Sequence, residues 1–218
     1  MKNKVGFIFD LDGVIVDTAK YHYLAWKNLA NALGFEFTEA QNEMLKGVSR
    51  VKSLEILLEL GNVTLTQAEK DKLLTEKNEE YLAYVNKMNA EEILIGVNNV
   101  LHFLEENNIN FALGSASKNA PLILEKVGLL HRFSAIVDGN DVTKAKPDPE
   151  VFLKAAQKLN VAPQNCIVFE DAIAGIQAAN AANMVSIGIG SKNVLHEANY
   201  VFENMAAIDT QFLNNLLK

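Results

Sequence analysis

From residue 93 onward the chain alternates two kinds of segment. Short runs rich in apolar, β-branched and aromatic residues suit buried strands. Longer stretches whose apolar positions recur every three or four residues suit amphipathic helices. Their alternation predicts a mostly parallel sheet with crossover helices. Strands are expected at 110–114, 135–138, 166–170 and 184–189, joined by an earlier run at 5–9. Helices are expected at 97–106, 121–127, 150–159 and 173–182, with Pro121 in a first turn and Gly128 just past an end. Residues 200–202 predict a further edge strand and 209–217 a closing helix.

Residues 18–92 break this rhythm and read as helical throughout. Segments 20–33 and 49–60 are followed by Gly34 and Gly61, the residue that commonly closes a helix. Thr66-Gln67-Ala68-Glu69 is a capping box that opens a long polar helix to about Met88. The expected fold is therefore α/β: a Rossmann-like, mostly parallel sheet core (1–17 and 93–218) with an inserted helical cap domain (18–92). A helical insert over the carboxyl edge of a sheet can exclude water from whatever binds there.

Composition narrows the partners. The 218 residues are 49% hydrophobic and 22% charged, as expected of a soluble globular chain, with a formal net charge of −7. That balance argues against nucleic acid and anionic membranes as partners, but not against an anionic substrate in a locally positive pocket. The single Cys166 excludes an internal disulfide framework, fits the reducing cytoplasm, and lies in an apolar run as a small core residue. The apolar stretch near the amino terminus stops at Asp10, too short for a signal-peptide core, and no stretch approaches a membrane span. Asn62-Val63-Thr64 is read as a chance glycosylation sequon, Gly188-Ile189-Gly190 as too little for a dinucleotide site, and Tyr81, Tyr84, Val85 and Met88 as core.

Candidate chemistry collects where the strands end. The 5–9 run stops at Asp10 and Asp12, followed by Gly13, placing two acids at the sheet's carboxyl edge. Two close carboxylates need a proton or a metal ion between them, although an ordinary Asp-Gly turn is the plain alternative. After 110–114 come Ser115-Ala116-Ser117-Lys118-Asn119, whose hydroxyls, lysine and amides suit an anion or, more simply, a helix cap. After 135–138 comes Lys146-Pro147, alternatively a solvated loop lysine; after 166–170 comes Asp171, completing the acid pair Glu170-Asp171. Four carboxylates make an oxygen-rich site suited to magnesium.

In this order the residues resemble the four motifs of the haloacid dehalogenase superfamily, over essentially the whole chain. Asp10-Leu11-Asp12-Gly13 matches the first motif, Ser115 the second, Lys146 the third and Glu170-Asp171 the fourth. Residues 18–92 resemble that superfamily's helical cap. Within it, Leu45-Lys46-Gly47-Val48-Ser49-Arg50 is similar to the cap substrate loop of the β-phosphoglucomutases, as are the placements of Thr18, His22, Trp26, Lys77 and Asn78. Two departures are mild: Ala172 stands where a serine is common, and Ile95 where a proline often precedes Gly96.

The resemblance implies phosphoryl transfer. Asp10 would be the nucleophile and Asp12 the general acid and base, with Ser115 and Lys146 on the transferring phosphate. Magnesium would be held by Asp10, the Asp12 carbonyl and Asp171, with Glu170 close by. A sugar phosphate would meet His22, Trp26, Gly47, Val48, Ser49, Arg50 and Lys77 from the cap and Ala116, Ser117, Lys118 and Asn119 from the core. Plain packing within the cap is the alternative for His22 and Trp26. The implied reaction converts β-glucose 1-phosphate to glucose 6-phosphate through an aspartyl phosphate and a bisphosphate, in a monomer. The alternatives are a magnesium-dependent phosphatase of the same fold and a phospho-acceptor signalling domain, for which the helical insert would have no use.

Overall fold

A computed structural model describes residues 4–45 and 48–217. Its centre is a parallel six-stranded sheet of β1 (Gly6–Phe9), β2 (Phe111–Gly114), β3 (Ala135–Val137), β4 (Cys166–Glu170), β5 (Val185–Ile189) and β6 (Tyr200–Phe202). The order is β3-β2-β1-β4-β5-β6, so the chain builds outward on one side of β1 and then restarts on the other. That reversal opens a crevice at the strands' carboxyl ends, the usual ligand position in such sheets.

Strand alternation explains the layering. Phe7 and Phe9 point to the face covered by α5 (Val97–Glu106), α6 (Ala120–Lys126) and α9 (Thr210–Leu216). Ile8 points to the opposite face, beneath α7 (Glu150–Leu159) and α8 (Ile173–Ala181). With both faces covered, β1 has no polar residue to show to solvent, and all four of its residues are buried.

Between β1 and α5 the chain forms α1 (Ala19–Ala32), the single turn α2 (Glu39–Asn42), α3 (Arg50–Gly61) and α4 (Gln67–Val85). Trp26, Leu29, Phe37, Leu54, Leu57 and Leu58 bury one another in a cluster separate from those on the sheet. The opposite side, with Ala25, Tyr81, Val85 and Met88, joins the cluster over β1. The chain leaves and re-enters the sheet along two adjacent linkers. Val16 bridges Ile93, Leu94 N–H donates to the Ile15 carbonyl at 3.0 Å, and Glu92 accepts from Lys20 Nζ at 2.6 Å and Tyr21 Oη at 2.5 Å.

The expected elements are present, with shifts that have local causes. The capping box at Thr66 forms with Glu69, but α4 ends at Val85 and residues to Met88 turn away. Gly61 does not terminate its helix. It is the last helical residue, and Asn62 takes the left-handed conformation at φ 55°. Gly61 is small for another reason: a Cβ there would lie 2.3 Å from the Phe35 ring. Gly34 and Gly128 do sit past their helices with φ of 91° and 77°. Residues 18–92 are not helical throughout, since 33–38 and 62–66 are extended or turned and 43–45 form a 3-10 turn. Strands expected to start at 5, 110 and 184 begin one residue later, and 135–138 stops at Val137.

Candidate active site

The carboxyl edge gathers its acids by register. Gly6–Phe9 pair residue for residue with Cys166–Phe169, so Asp10, one step past β1, lies beside Glu170 at the end of β4. Asp10 N–H donates to the Phe169 carbonyl at 2.9 Å. The loop after β3 brings Lys146 into the gap, where its Nζ lies 2.6 Å from Asp10 Oδ1 and 2.7 Å from Glu170 Oε2. Glu170 Oε1 accepts from Ala172 N–H at 3.1 Å. All three side chains of this ion triad are buried. Burial alone would lower the Lys146 pKa, but the charges of Asp10 and Glu170 outweigh it and hold the ammonium above its ordinary value; burial raises Glu170.

Two glycines make this packing possible. A Cβ at Gly13, where φ is 77°, would fall 2.0 Å from Asp171 Oδ2. A Cβ at Gly175 would fall 1.9 Å from the Glu170 carboxyl carbon. Asp10, Glu170 and Asp171 each offer one oxygen within 4.8 Å of the others, the one such group of potential metal ligands among the described residues. An all-oxygen, partly buried acidic set suits a hard divalent cation rather than zinc or copper. The residues therefore fit the expected magnesium. The Asp12 side chain is not part of this trio. Its Oδ1 is buried without a partner, and burial followed by the charge of Asp10 pushes its pKa up to about 7.

Above the acids lies a cavity of about 440 Å³, walled by both the sheet edge and the helical insertion. From the core come Asp10, Asp12, Gly13, Ser115, Ala116, Ser117, Lys118, Asn119 and Asp171. From the insertion come His22, Trp26, Val48, Ser49, Arg50 and Lys77. Gly47 and its neighbour Lys46 lie outside the described residues. Lys146 and Glu170 sit beneath the cavity wall instead of lining it, so the lysine expected to grip a phosphate directly is held first by two carboxylates.

The loop after β2 does not cap α6 with a side chain, as the plain alternative would have it. Instead Ser115 Oγ accepts from Ser117 N–H and Ser117 Oγ from Asn119 N–H. Asn119 Nδ2 donates to Asn78 Oδ1 at 3.0 Å, tying the loop to α4. Gly139 packs against the Ala116 carbonyl and the Lys118 stem, closing the loop's other side.

On the insertion, Lys77 lies between two rings, with Nζ 4.6 Å from the Trp26 centroid and 4.8 Å from that of Tyr81. Its Nζ also lies within hydrogen-bond distance of His22 Nδ1, at 2.8 Å. Burial and then the charge of Lys77 push the His22 pKa well below its ordinary value, so the imidazole is neutral. Burial, then Arg50, brings the Lys77 pKa down to about 7. Ser49 caps α3, accepting from Lys52 N–H, and so sets Arg50 in the first turn. Tyr81 escaped the sequence reading as a cavity residue, although it lies one turn after Lys77 and stacks on His22 at 4.1 Å. Asn42, Ser53 and residues 142–145 also line the cavity, without a sequence signal to mark them.

A haloacid dehalogenase-like hydrolase family model matches residues 5–183. The chain belongs to the haloacid dehalogenase-like hydrolase family. Within that family it is 42% identical to the β-phosphoglucomutase of Bacillus subtilis (strain 168) over 209 residues, 95% of this chain and 92% of that one. It is 33% identical to a fructose-1-phosphate phosphatase of Escherichia coli (strain K12), over 84% of this chain and 95% of the other. A crystal structure of β-phosphoglucomutase from Clostridium difficile superposes with a TM-score of 0.94 at 42% identity, covering 98% of this chain and 97% of that one. Both mutases and phosphatases thus stand among its haloacid dehalogenase-like relatives. Among the described residues no helix is long and apolar enough to cross a membrane.

Proposed function

We propose that the protein is a β-phosphoglucomutase, an isomerase that interconverts β-D-glucose 1-phosphate and glucose 6-phosphate. The observation that carries this reading is that the cavity has two walls of different character, each with its own cations. One wall, from the sheet edge, holds Asp10 and its paired charges together with Ser117, Lys118 and Asn119; the other, from the insertion, presents Arg50 and Lys77. A phosphatase needs one phosphate site, whereas a mutase acting through a bisphosphate must hold two phosphates about a sugar's length apart. Arg50 supplies a planar, permanently charged fork for the phosphate that is not reacting. The aromatic walls of Trp26 and Tyr81, with the polar His22 and Lys77 between them, suit a sugar ring.

In this reading Asp10 attacks phosphorus and becomes the aspartyl phosphate as the sugar oxygen leaves. Asp12, buried and titrating near neutrality, protonates that oxygen and later takes the proton from the hydroxyl that attacks the phosphoenzyme. Ser115 and Lys146 stabilise the transferring phosphate's oxygens. Asp10 and Asp171, with Glu170 and the Asp12 carbonyl, would hold Mg2+, which offsets the repulsion between carboxylate and phosphate. Residues 18–92 act as a cap that excludes water. The protein works as a monomer in the cytoplasm on a small phosphorylated sugar. The test is product identity: enzyme primed with glucose 1,6-bisphosphate and supplied with β-glucose 1-phosphate and magnesium should yield glucose 6-phosphate. Release of glucose and inorganic phosphate at the same rate would assign a phosphatase.

A further inference from the structure

The segment that delivers Lys146 is tied down by a residue that does not itself line the cavity. Glu150, in the first turn of α7, points back along the loop. Its Oε2 accepts from Thr143 N–H at 2.9 Å, Thr143 Oγ at 3.0 Å and Lys144 N–H at 2.8 Å. Its Oε1 meets Lys154 Nζ at 2.6 Å. Further bonds tighten the loop between these points: Asp148 N–H donates to the Ala145 carbonyl, and Asp148 Oδ1 accepts from Glu150 N–H. Two residues along the same helix, the Phe152 ring lies 4.8 Å from Lys146 Nζ and packs against Gly114, the last residue before Ser115. The first turn of α7 therefore holds the Lys146 arm twice, at its backbone and under its ammonium.

We propose that Glu150 is a positioning residue for Lys146: its carboxylate fixes the 143–146 arm so that the ammonium reaches between Asp10 and Glu170. Three donors converge on one oxygen while a cation holds the other, an arrangement that an amide side chain cannot reproduce. The Lys154 ammonium, followed by the Lys144 and Thr143 donors, holds the Glu150 pKa down to about 2, so the carboxylate keeps its charge across the working pH range. A loop free to shift by an ångström would still bury Lys146, but not at 2.6 and 2.7 Å from its two partners. Misplacement on that scale is costly because the transferring phosphate must be met in one geometry.

The proposal rests on Lys146 serving the reacting phosphate, so its test carries Lys146→Ala beside Glu150→Ala and Lys154→Ala. Mutase turnover and acetyl phosphate hydrolysis are measured on holoenzyme, well below each variant's unfolding midpoint. Glu150→Ala should lower kcat by roughly ten- to a hundredfold in both assays, with KM changed less than about threefold. Lys154→Ala removes the same helix-end ion pair and one bond to the Asp141 carbonyl farther up the loop but spares the Thr143 and Lys144 contacts of Glu150, and should keep kcat within about twofold. If Glu150 served only the stability of α7, the two variants would lose melting temperature alike and neither would lose kcat. That result, together with an inactive Lys146→Ala, overturns the proposal and leaves the mutase reading intact. A fully active Lys146→Ala overturns both.

Discussion

The two walls of the cavity carry charge in opposite ways. On the sheet edge Lys146 is neutralised by Asp10 and Glu170 at salt-bridge distance, and Glu170 also takes a backbone N–H. On the helical insertion, neither Arg50 nor Lys77 has a carboxylate within salt-bridge distance among the described residues. Their pKa values are lowered first by burial. A buried cation without a counter-ion is unfavourable until an anion arrives. The sheet edge thus pairs its lysine before substrate binds, while a phosphate would bring the insertion's cations the counter-charge that they lack at salt-bridge distance. One wall has its charges paired in advance, and the other is completed by an anionic ligand.

Substitutions should expose that contrast. The largest effect belongs to the preset side: Asp10→Asn should cut turnover by at least about a thousandfold and abolish hydroxylamine-sensitive phosphate labelling, with the circular dichroism spectrum unchanged. Labelling at the wild-type level would move the reactive acid elsewhere. Next comes Arg50→Ala, which should lower mutase turnover by roughly one to two orders of magnitude while acetyl phosphate hydrolysis falls much less. Parallel losses in the two assays would place Arg50 with the reacting phosphate, and the two-phosphate reading would have to be abandoned.

Lys77→Met tests the cost of the uncompensated cation through stability. The folded-state pKa of about 7 lies below the ordinary 10.5, so between those values the unfolded chain binds a proton that the folded chain lacks. Stability from this group therefore rises with pH across that window, and its penalty is full at and below pH 7. Without ligand, Lys77→Met should be more stable than wild type at pH 7 by on the order of 2 kcal/mol, an advantage that fades by pH 10. An advantage independent of pH would mean that the lysine is not the source. The smallest effect is expected at Asn78→Ala, which removes the neutral link from α4 to Asn119. One such bond is worth about 1 kcal/mol, so the ratio of hydrolysis to mutase turnover should rise by roughly fivefold or less. An unchanged ratio would show that this link has no part in excluding water.

The same contrast explains what the sequence revealed. Asp10, Ser115 and Glu170 directly follow or end a strand, and an all-parallel sheet brings strand ends together whatever the details of packing. Their meeting was legible because topology alone enforces it. The insertion obeys no such rule. Whether His22 and Trp26 face a cavity or a core depends on how α1 rolls against α4, which periodicity leaves open. Tyr81 read as core because it is core, being almost fully buried while its ring also walls the cavity. Gly175 and Glu150 were invisible for a different reason. Their roles exist only through carboxylate contacts made after the loops have closed.

The position of β1 bears on how such a chain is made. Phe7 pairs with Phe111 on one side and Ile167 on the other. An emerging chain carries its most apolar strand through more than half of its synthesis before the first neighbour exists. At ordinary elongation speeds the second neighbour follows β1 by on the order of ten seconds. During that interval Gly6–Phe9 is an unpaired template for any passing strand, and the helices that follow are the sole local material able to shield it. Slow, late closure of the sheet is then expected of this topology, with holdase chaperones most useful before residue 170 has emerged.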